Sequence, residues 1–399
     1  MTIAQGGSGM GRHYDLAVVG AGIVGLGHAV AALRRGLTVA VIDRAAGAAG
    51  ASVRTSGHIG VTGQEGEARA YAELARELWL TLAPEAGFWL RESGTVVVAR
   101  AEDELAVLRE FRERRGGHDV RILTPAEVRE RVPVADGVAV AGALLPSDLQ
   151  VDPRESVAAI ARWLEAHGVD FFWRTAAVGV QPGLVHTARG RVAAEAVVVA
   201  VGHDVDQLFP GVAEAHGMER SGLDMMLVDA ALDAPLTSPV LTGWSLVRCP
   251  GFARTPSASA VRDRLAGEHP ARAALDADEF YAQRPDGALV VGAARSRGAD
   301  IAPFQGEEAF ELLLEQARDL FGTSGLRVRQ RWQGVDASAP DDFLVASTAP
   351  GVRVVAVTSG SGMTTGLGLA ERVVDELFSD PLFPTASGPL VSAGAGRVR

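Results

Sequence analysis

The 399-residue sequence contains no lysine, so all 38 of its basic residues are arginines. A chain without lysine cannot form a lysine Schiff base or use lysine as a general base or an activator of oxygen. It also contains a single cysteine, Cys249. One cysteine excludes a disulfide framework and a cysteine metal site, and no metal is expected. Scarce cysteine fits a reducing cytoplasm, where we expect the protein to reside.

Positive charge is also in deficit, because the formal net charge is −11. Nucleic-acid binding is not expected, since it requires clustered positive charge against the phosphates.

A membrane span is not expected either. The longest apolar run, Leu16 to Leu33, is interrupted by four glycines and His28. The Gly- and Ser-rich first dozen residues lack the charged start and apolar stretch of a signal peptide.

The composition is otherwise that of a large globular protein, with 47% hydrophobic and 22% charged residues. A chain of this length and apolar content can bury a large core, which we expect to be divided between two closely joined domains.

A strand–turn–helix–strand pattern opens the chain. Tyr14 to Val19 is predicted to be a strand, Gly20 to Gly25 a tight turn, and Ile23 to Arg35 a helix that ends at Gly36. Leu37 to Ile42 reads as a second buried strand and is followed by Asp43. Both strands are continuous apolar runs, which is typical of parallel strands covered on both faces.

The turn has the sequence Gly-Ala-Gly-Ile-Val-Gly, which is G-x-G-x-x-G. Gly20 permits the sharp turn, Gly22 lets a pyrophosphate approach the backbone, and Gly25 lets helix and strand pack closely. The helix N-terminus then presents free N–H groups to the phosphates. Asp43 stands where a carboxylate accepts hydrogen bonds from an unphosphorylated ribose. The pattern therefore predicts a dinucleotide site.

The choice between NAD and FAD depends on position and on a second glycine turn. The fingerprint lies near the start of the fold, as FAD-type fingerprints do. A late turn, Ser359 to Thr364, follows the strand Val352 to Val357 and precedes a helix. Its N–H groups are expected to face a second part of a long cofactor and to stabilise negative charge on a reduced isoalloxazine. The alternative is that this turn only caps the helix.

The rest of the chain alternates between segments typical of a parallel α/β layer and segments typical of a separate antiparallel layer. Further helices are predicted over Glu67 to Trp79, Glu102 to Arg115, Pro153 to His167, Gly306 to Phe321 and Leu369 to Phe378. Further strands are predicted over Gly94 to Ala99, Val138 to Leu145, Asp170 to Trp173 and Ala196 to Val201. A separate antiparallel layer is expected between about residues 215 and 325, with pieces at Gly243 to Arg248, Glu279 to Gln283 and Ala288 to Val291.

These patterns resemble the D-amino acid oxidase/glycine oxidase/sarcosine oxidase superfamily of FAD-dependent oxidoreductases over nearly all of residues 14–378. The segments that carry the resemblance are DLAVVGAGIVGLGHAVAALRRG, GASVRTSGHIG, VVVAVG (197–202), QRPDGALVVG (283–292), RWQGV (331–335) and VTSGSGMTTG (357–366). GASVR, with Gln64 and ELWLTLAPEAGFWLRESG after it, is similar to a subgroup associated with aminoalkylphosphonate breakdown.

The resemblance implies an α/β fold in which a discontinuous, Rossmann-like FAD-binding domain carries an antiparallel-sheet α+β substrate domain. The FAD-binding domain would comprise 13–90, 146–214 and 328–380, and the substrate or cap domain 91–145 and 215–327. Residues 1–12 and 385–399 are expected to be flexible tails.

It also implies which residues hold FAD, without a covalent linkage. The segment Arg54 to Ile59 would pass near the flavin ring. The implied contacts are Gly20, Gly22, Ile23, Val24, Gly25, Asp43, Arg44, Ser52, Gly57, Val178, Gly202, Gly360, Gly362, Met363 and Thr364.

The expected substrate pocket departs from the subgroup's pattern. Ser56 and His58 flank Gly57 where Asn and Met are more usual, and Arg248 and Arg295 lie where histidine or aromatic residues are more usual. For the anionic end of a substrate, the candidates are Arg54, Arg248, Arg295 and Arg331, because a guanidinium matches carboxylate or phosphonate bidentately. His58 is interpreted as a flavin neighbour; the alternatives are an acid/base and a hydrogen-bonding loop residue.

The implied reaction is oxidation of the C–N bond of a small amine: an amino acid, an N-methyl amino acid or an aminoalkylphosphonate. A hydride passes to flavin N5, and water hydrolyses the resulting imine. The electron acceptor is O2 or another compound, although the lysine that helps sarcosine-oxidase relatives use oxygen is absent. The alternatives are oxidation of a 2-hydroxy acid and a non-catalytic flavin-binding module. A homo-oligomer is compatible with the sequence.

Overall fold

A computed structural model of the protein describes residues 11–379. The two tails that were expected to be flexible, 1–12 and 385–399, lie outside the described residues apart from Gly11 and Arg12. The last residue of the expected FAD-binding segments, residue 380, also lies outside them.

Helices and strands alternate along the described chain. The helices are α1 (Ile23–Arg34), α2 (Gly66–Ala86), α3 (Glu102–Arg115), α4 (Pro125–Arg131), α5 (Pro153–Ala166), α6 (Val205–Leu208), α7 (Pro210–Ala215), α8 (Gly243–Leu246), α9 (Pro250–Ala253), α10 (Ala258–Glu268), α11 (Pro270–Ala274), α12 (Glu307–Phe321) and α13 (Gly362–Ser379). The strands are β1 (His13–Val19), β2 (Val39–Ile42), β3 (His58–Ile59), β4 (Leu90–Arg91), β5 (Thr95–Ala99), β6 (Arg121–Leu123), β7 (Ala141–Leu145), β8 (Leu149–Val151), β9 (Asp170–Phe172), β10 (Ala177–Gln181), β11 (Leu184–Thr187), β12 (Gly190–Val199), β13 (Glu219–Ala230), β14 (Val240–Leu241), β15 (Phe280–Gln283), β16 (Leu289–Gly298), β17 (Leu326–Ala349) and β18 (Val352–Ser359).

A parallel layer forms one part of the main sheet. Its strand order is β18-β12-β1-β2-β9, and every neighbouring pair is parallel. The apolar residues of β1 and β2 are buried, as expected for strands that are covered on both faces. The predicted unit of β1, α1 and β2 is therefore confirmed, and so is the mixed α/β fold class.

An antiparallel layer continues the same sheet through β17. The first half of this 24-residue strand pairs with β13 and the second half with β18. Ser338 pairs with Glu219 of β13 on one side and with Ser359 of β18 on the other. Beyond β13 the order is β16, β15, β14, β5, β7 and β6. The division of the chain into FAD-binding and cap segments stays a prediction.

A small second sheet, β3-β8-β4, stands beside the main one. In it, His58 of β3 pairs with Gln150 of β8, and the Gln150 side chain donates a hydrogen bond to the Gln283 carbonyl in the antiparallel layer (2.9 Å). The small sheet thereby fixes the segment that carries His58 against the antiparallel layer.

The expected strand at Gly243 to Arg248 is wrong, because Gly243–Leu246 is the short helix α8. All four residues are buried, so neither strand nor helix periodicity is visible in the sequence. The Ser245 hydroxyl donates to Asp278 (2.7 Å), and a Cβ on Gly243 would lie 2.4 Å from Glu104 Oε1. These tertiary contacts hold the segment in a turn of helix.

The last helix and two long strands also differ from expectation. The last helix begins at Gly362 instead of Leu369, so the late glycine turn is shorter than predicted. The strands β13 and β17 were not predicted as units. Pro340, Asp341 and Asp342 resemble a turn in the sequence, but they lie where β17 passes from one partner strand to the other with a register shift.

Helices α1 and α13 cover the parallel layer, and α13 packs against both α1 and α2 through glycines. A Cβ on Gly27 of α1 would lie 3.0 Å from the Ala370 Cβ of α13, and one on Gly366 would lie 3.2 Å from a Val24 methyl group. A Cβ on Gly368 would lie 2.1 Å from the Tyr71 carbonyl oxygen of α2. Close approach of these backbones fixes where α1 and α13 begin.

No helix within residues 11–379 is long and apolar enough to cross a bilayer.

His28 is buried inside α1 without full hydrogen bonding. Its Nδ1–H donates to the Val24 carbonyl (2.7 Å), whereas Nε2 has no partner in the described part of the chain. Burial away from water lowers the pKa of the imidazole from 6.5 to about 4.

We predict that acid destabilises the protein in part through His28. The unfolded chain takes up this proton near pH 6.5, but the folded chain does so only near pH 4. Between pH 7 and pH 5 the folded state should therefore lose about 2 kcal/mol through this group. In His28→Leu the free energy of unfolding, measured with urea, should fall less over that interval, and in the exposed control His118→Asn it should fall as in the wild type. Equal losses in wild type and His28→Leu would contradict the assignment.

Candidate functional site

The turn between β1 and α1 forms a glycine-lined cradle. Gly20 has φ +108°, and a Cβ there would lie 2.3 Å from the Ala200 carbonyl oxygen of the neighbouring chain segment. A Cβ on Gly25 would lie 1.9 Å from the Gly20 carbonyl oxygen. At Gly22 the same atom would meet only the Ser52 hydroxyl, at 3.2 Å. Gly20 and Gly25 therefore permit the fold, whereas Gly22 leaves open space at the helix N-terminus.

The Asp43 and Ser52 side chains fix the backbone of the cradle by accepting hydrogen bonds from it. The two Asp43 carboxylate oxygens accept N–H groups from Ala21 and Ala45, each at 2.7 Å. The Ser52 hydroxyl accepts the N–H of Ile23, the first residue of α1, at 2.9 Å. Because each carboxylate oxygen has two lone pairs, Asp43 can still accept a hydrogen bond from a ribose hydroxyl.

The N-terminus of α13 opens toward the same region. Gly360 has φ +75°, which permits the turn from β18 into the helix. The buried Trp79 of α2 donates its indole N–H to the Met363 carbonyl (2.9 Å), and the Thr364 hydroxyl accepts the Gly60 N–H (3.2 Å). These contacts fix the start of α13.

A cavity of about 650 Å³ lies between the two helix starts, and we call it the cradle cavity. The predicted cofactor residues that line it are Gly20, Gly22, Ile23, Val24, Asp43, Arg44, Ser52, Val178, Gly202, Gly360, Gly362 and Met363. Gly25 and Gly57 do not line it. At Gly57 a Cβ would lie 2.0 Å from the Val151 carbonyl oxygen, so the residue serves the packing of β8. Open space at Gly22 and two helix N-termini suit a long cofactor with a diphosphate, as FAD is.

A second cavity of about 250 Å³ adjoins the first, and we call it the inner cavity. Ala51, Arg54, Thr55, Asp336, Gly360 and Met363 line both. The inner cavity also has an apolar wall of Leu223, Met225, Leu241 and Phe280 from the antiparallel layer. Thr364 lines this cavity instead of the cradle cavity.

Three of the four predicted anion-binding arginines line the inner cavity, namely Arg54, Arg248 and Arg295. Arg331 does not, because it pairs with Glu307 and lies over the Phe310 ring, 5.2 Å from its centroid. The structure therefore does not bring Arg331 to the other three.

The three cavity arginines differ in their partners. Arg248 is held by the Asp276 carboxylate and the Ala277 carbonyl. Arg54 donates to the Gln333 carbonyl (3.2 Å), and its own carbonyl accepts the Trp332 indole N–H (2.9 Å). Arg295 has a buried Nε with no hydrogen-bond partner within residues 11–379, and no carboxylate of that part lies within 4.0 Å of its guanidinium.

His58 also lines the inner cavity. Its Nε2 lies 2.8 Å from the Thr95 hydroxyl and 3.5 Å from an Asp148 carboxylate oxygen. The structure thus joins this predicted residue to Asp148, which the sequence did not single out. No local pattern marks Asp148, because it reaches His58 through the pairing of β3 with β8.

Asp336 and Cys249 are further ionisable residues on the wall of the inner cavity. Burial raises the pKa of the Asp336 carboxyl above its ordinary value, and the charge of Arg295 opposes that rise. Burial also raises the pKa of the Cys249 thiol to about 12. Asp336 directly follows the motif RWQGV, but nothing in the sequence shows that it faces a cavity.

Within residues 11–379 no three His, Cys, Asp or Glu side chains are grouped to hold a metal.

Comparison with known proteins gives a consistent result. A family model described as FAD dependent oxidoreductase, DAO, matches residues 15–376. The chain is 30% identical to the glycine oxidase of Geobacillus kaustophilus (strain HTA426) over 209 residues, which span 48% of this chain and only 55% of that protein.

Two solved structures show the same fold. The crystal structure of glycine oxidase from Geobacillus kaustophilus has a TM-score of 0.74 at 20% identity, covering 92% of this chain and 95% of that chain. The crystal structure of L-proline dehydrogenase from P. horikoshii has a TM-score of 0.76 at 18% identity, covering 92% and 94%.

We predict that Gly22→Ala weakens FAD binding and leaves the fold intact. The new methyl group would contact only the Ser52 hydroxyl within the protein, but it would occupy the space that a pyrophosphate needs. The Kd for FAD, measured by flavin fluorescence on cofactor-stripped protein, should rise about tenfold or more, or about 1.4 kcal/mol. Gly267→Ala is the control, since a Cβ there meets nothing within 4 Å. An unchanged Kd in Gly22→Ala would refute the assigned approach.

Proposed function

Because the chain belongs to the DAO family of FAD-dependent oxidoreductases, we propose that it oxidises the C–N bond of a small amine that carries an anionic group. The substrate class comprises amino acids, N-methyl amino acids and aminoalkylphosphonates. The names of the similar proteins, glycine oxidase and L-proline dehydrogenase, support an amino-acid-like substrate.

The observation that carries this proposal is the unpaired guanidinium of Arg295 on the wall of the inner cavity. The residue is half-buried, and its Nε is shielded from solvent without a hydrogen-bond partner within residues 11–379, so a ligand that accepts hydrogen bonds and supplies negative charge would stabilise it. Arg248 already has its carboxylate, and Arg54 also lines the cradle cavity. Arg295 is therefore the residue best placed to bind the carboxylate or phosphonate of the substrate, which a guanidinium can do through two hydrogen bonds.

The inner cavity also suits a small substrate by its size and its apolar wall. Leu223, Met225 and Phe280 contribute no charge, so they exclude water from the space beside the cradle cavity. When bound, FAD supplies the acceptor of the hydride that leaves the α carbon. The chain itself binds the anionic end, limits the rotation of the substrate and excludes water.

We propose that FAD is held without a covalent bond. The Cys249 thiol stays protonated at neutral pH, because burial raises its pKa to about 12, and a protonated thiol is a poor nucleophile. Acid precipitation of the purified protein should therefore leave all the flavin in the supernatant.

The function is tested by anaerobic reduction of the bound flavin with a panel of compounds. The panel contains glycine, sarcosine, D-amino acids, 2-aminoethylphosphonate and its N-methyl form, with 2-hydroxy acids for comparison. Bleaching of the flavin absorbance by an amine supports the proposal. Bleaching by hydroxy acids alone would replace it with alcohol oxidation, and no bleaching by any compound would contradict catalysis on this class. Peroxide formation in air then distinguishes an oxidase from a dehydrogenase.

We predict that Arg295→Gln raises KM for the best anionic amine roughly thirtyfold, because a lost charge-assisted pair costs about 2 kcal/mol. The KM for the methyl ester or amide of the same amine, which lacks the negative charge, should change little. Arg331→Gln is the matched control, since that arginine lies outside both cavities. Steady-state kinetics measure all three proteins, and an equal rise in KM for the charged and uncharged substrates would refute the role of Arg295.

A further inference from the structure

His58 and Asp148 form a pair on the wall of the inner cavity, on elements that carry none of its arginines. Asp148 is only 1% exposed. Its Oδ1 accepts the Thr62 N–H at 2.9 Å, whereas its Oδ2 has no hydrogen-bond partner within the described residues and lies 3.5 Å from His58 Nε2. A buried carboxylate oxygen is thus directed at an imidazole that lines the cavity.

We assign the hydrogen of a neutral His58 to Nε2, because this nitrogen lies 2.8 Å from the Thr95 hydroxyl, which can accept it, and 3.5 Å from Asp148 Oδ2, which cannot donate. Nδ1 is then an acceptor with a free lone pair. Among residues 11–379 no group donates a hydrogen bond to it.

The ring position is fixed by close packing. A Cβ on Gly60 would lie only 2.7 Å from His58 Cε1, so the imidazole occupies the space that a side chain at residue 60 would need. On another side the ring contacts Phe280, with centroids 5.2 Å apart. The pairing of β3 with β8 brings Asp148, the residue before β8, beside His58.

We propose that His58 Nδ1 accepts the proton of the substrate ammonium and that Asp148 is the positioning residue that orients His58 for this transfer. The inference rests on the proposed function, because the substrate nitrogen must be neutral before a hydride can leave the adjacent carbon. A simple alkylammonium has a pKa near 10, so almost none is neutral at pH 7 without a proton acceptor.

The proton transfer balances without any change in oxidation state. The substrate N–H bond breaks, its electron pair stays on nitrogen, and a new N–H bond forms at His58 Nδ1. The imidazolium charge then faces the Asp148 carboxylate, which stabilises it. The proton passes to water when the product leaves.

Other charged groups share the cavity and contribute to its pH response. Those that line the cavity besides the pair are Arg54, Arg248, Arg295, Asp278, Asp336 and Asp342. The Cys249 thiol stays neutral at neutral pH. The experiment must therefore distinguish the effect of His58 on the pH dependence from the effects of these groups.

The test is the pH dependence of anaerobic flavin reduction by the best amine of the panel. In the wild type, the second-order rate constant should rise with pH and level off near neutral pH, well below the range in which the free amine becomes neutral. In His58→Asn the rise should move toward pH 10, where the amine itself is neutral. The rate constant should then be about 100-fold lower than wild type at pH 7 and within a few-fold at pH 10. A purely structural role would not be rescued by high pH.

The same pH dependence is measured for further variants, each with its own expected result. Asp148→Asn keeps the acceptor oxygen for the Thr62 N–H but removes the charge, so a smaller loss of about tenfold at pH 7 is expected. His118→Asn, on an exposed loop, should keep the wild-type profile. If His58→Asn does not fold, Gly60→Ala displaces the ring and keeps the imidazole, and the same shift of the profile is expected.

A second readout does not depend on turnover. 2-Methylalanine has no hydrogen on its α carbon and cannot be oxidised, and isobutyrate is its counterpart without the amine. Of the nine histidine Cε1–H NMR signals, the one missing in His58→Asn should move to the imidazolium position with 2-methylalanine and not with isobutyrate.

The outcomes separate the two proposals. If no amine reduces the wild-type flavin, the proposed function is overturned and this inference with it. If amines reduce the wild type but His58→Asn shows an unshifted pH profile, or its NMR signal does not respond to 2-methylalanine, only the role of His58 is overturned.

Discussion

The close packing of α1, α13 and α2 determines where the two helix N-termini lie, and the rest of the site depends on that placement. Gly27, Gly366 and Gly368 let the three backbones approach to distances at which a Cβ would clash or crowd. As a result, α1 and α13 start on the walls of one cavity. Two positive dipole ends and their free N–H groups then act on the same space, which favours a cofactor with a diphosphate and a ring that becomes negative on reduction.

The inner cavity offers different chemistry to the two ends of a substrate. Arg295 lies on β16 of the antiparallel layer and brings a positive charge without a carboxylate partner. His58 lies on β3 of the small sheet and is backed by the buried Asp148. A zwitterionic amino acid or aminophosphonate, as in the proposed substrate class, carries one group that suits each. Because the two groups come from separate sheets, the contacts that anchor the small sheet, such as Gln150 with Gln283, also determine the distance between them.

Local sequence patterns predicted the fold of the turn between β1 and α1 well, because the contacts that form it are largely local. Gly25 packs against the Gly20 carbonyl and Asp43 accepts the Ala21 N–H within one strand–turn–helix–strand unit, and that unit is present. The helix α8 and the strand β17 were not predicted, since a fully buried segment shows no periodicity and Pro340 resembles a turn. Asp148 and Asp336 were missed for another reason: their neighbours in the cavity come from distant parts of the chain. Arg331 was a candidate because of its residue type, but its side chain pairs with Glu307 and does not line the inner cavity.

The strand β17 has a mechanical consequence. Its first half is hydrogen-bonded to β13 and its second half to β18, with Ser338 paired to both neighbours. Rotation of the antiparallel layer against the parallel one would break these ladders at the point where they meet. A change in the position of the antiparallel layer relative to the parallel layer would therefore have to break backbone hydrogen bonds on both sides of Ser338, so the shared strand opposes such a movement.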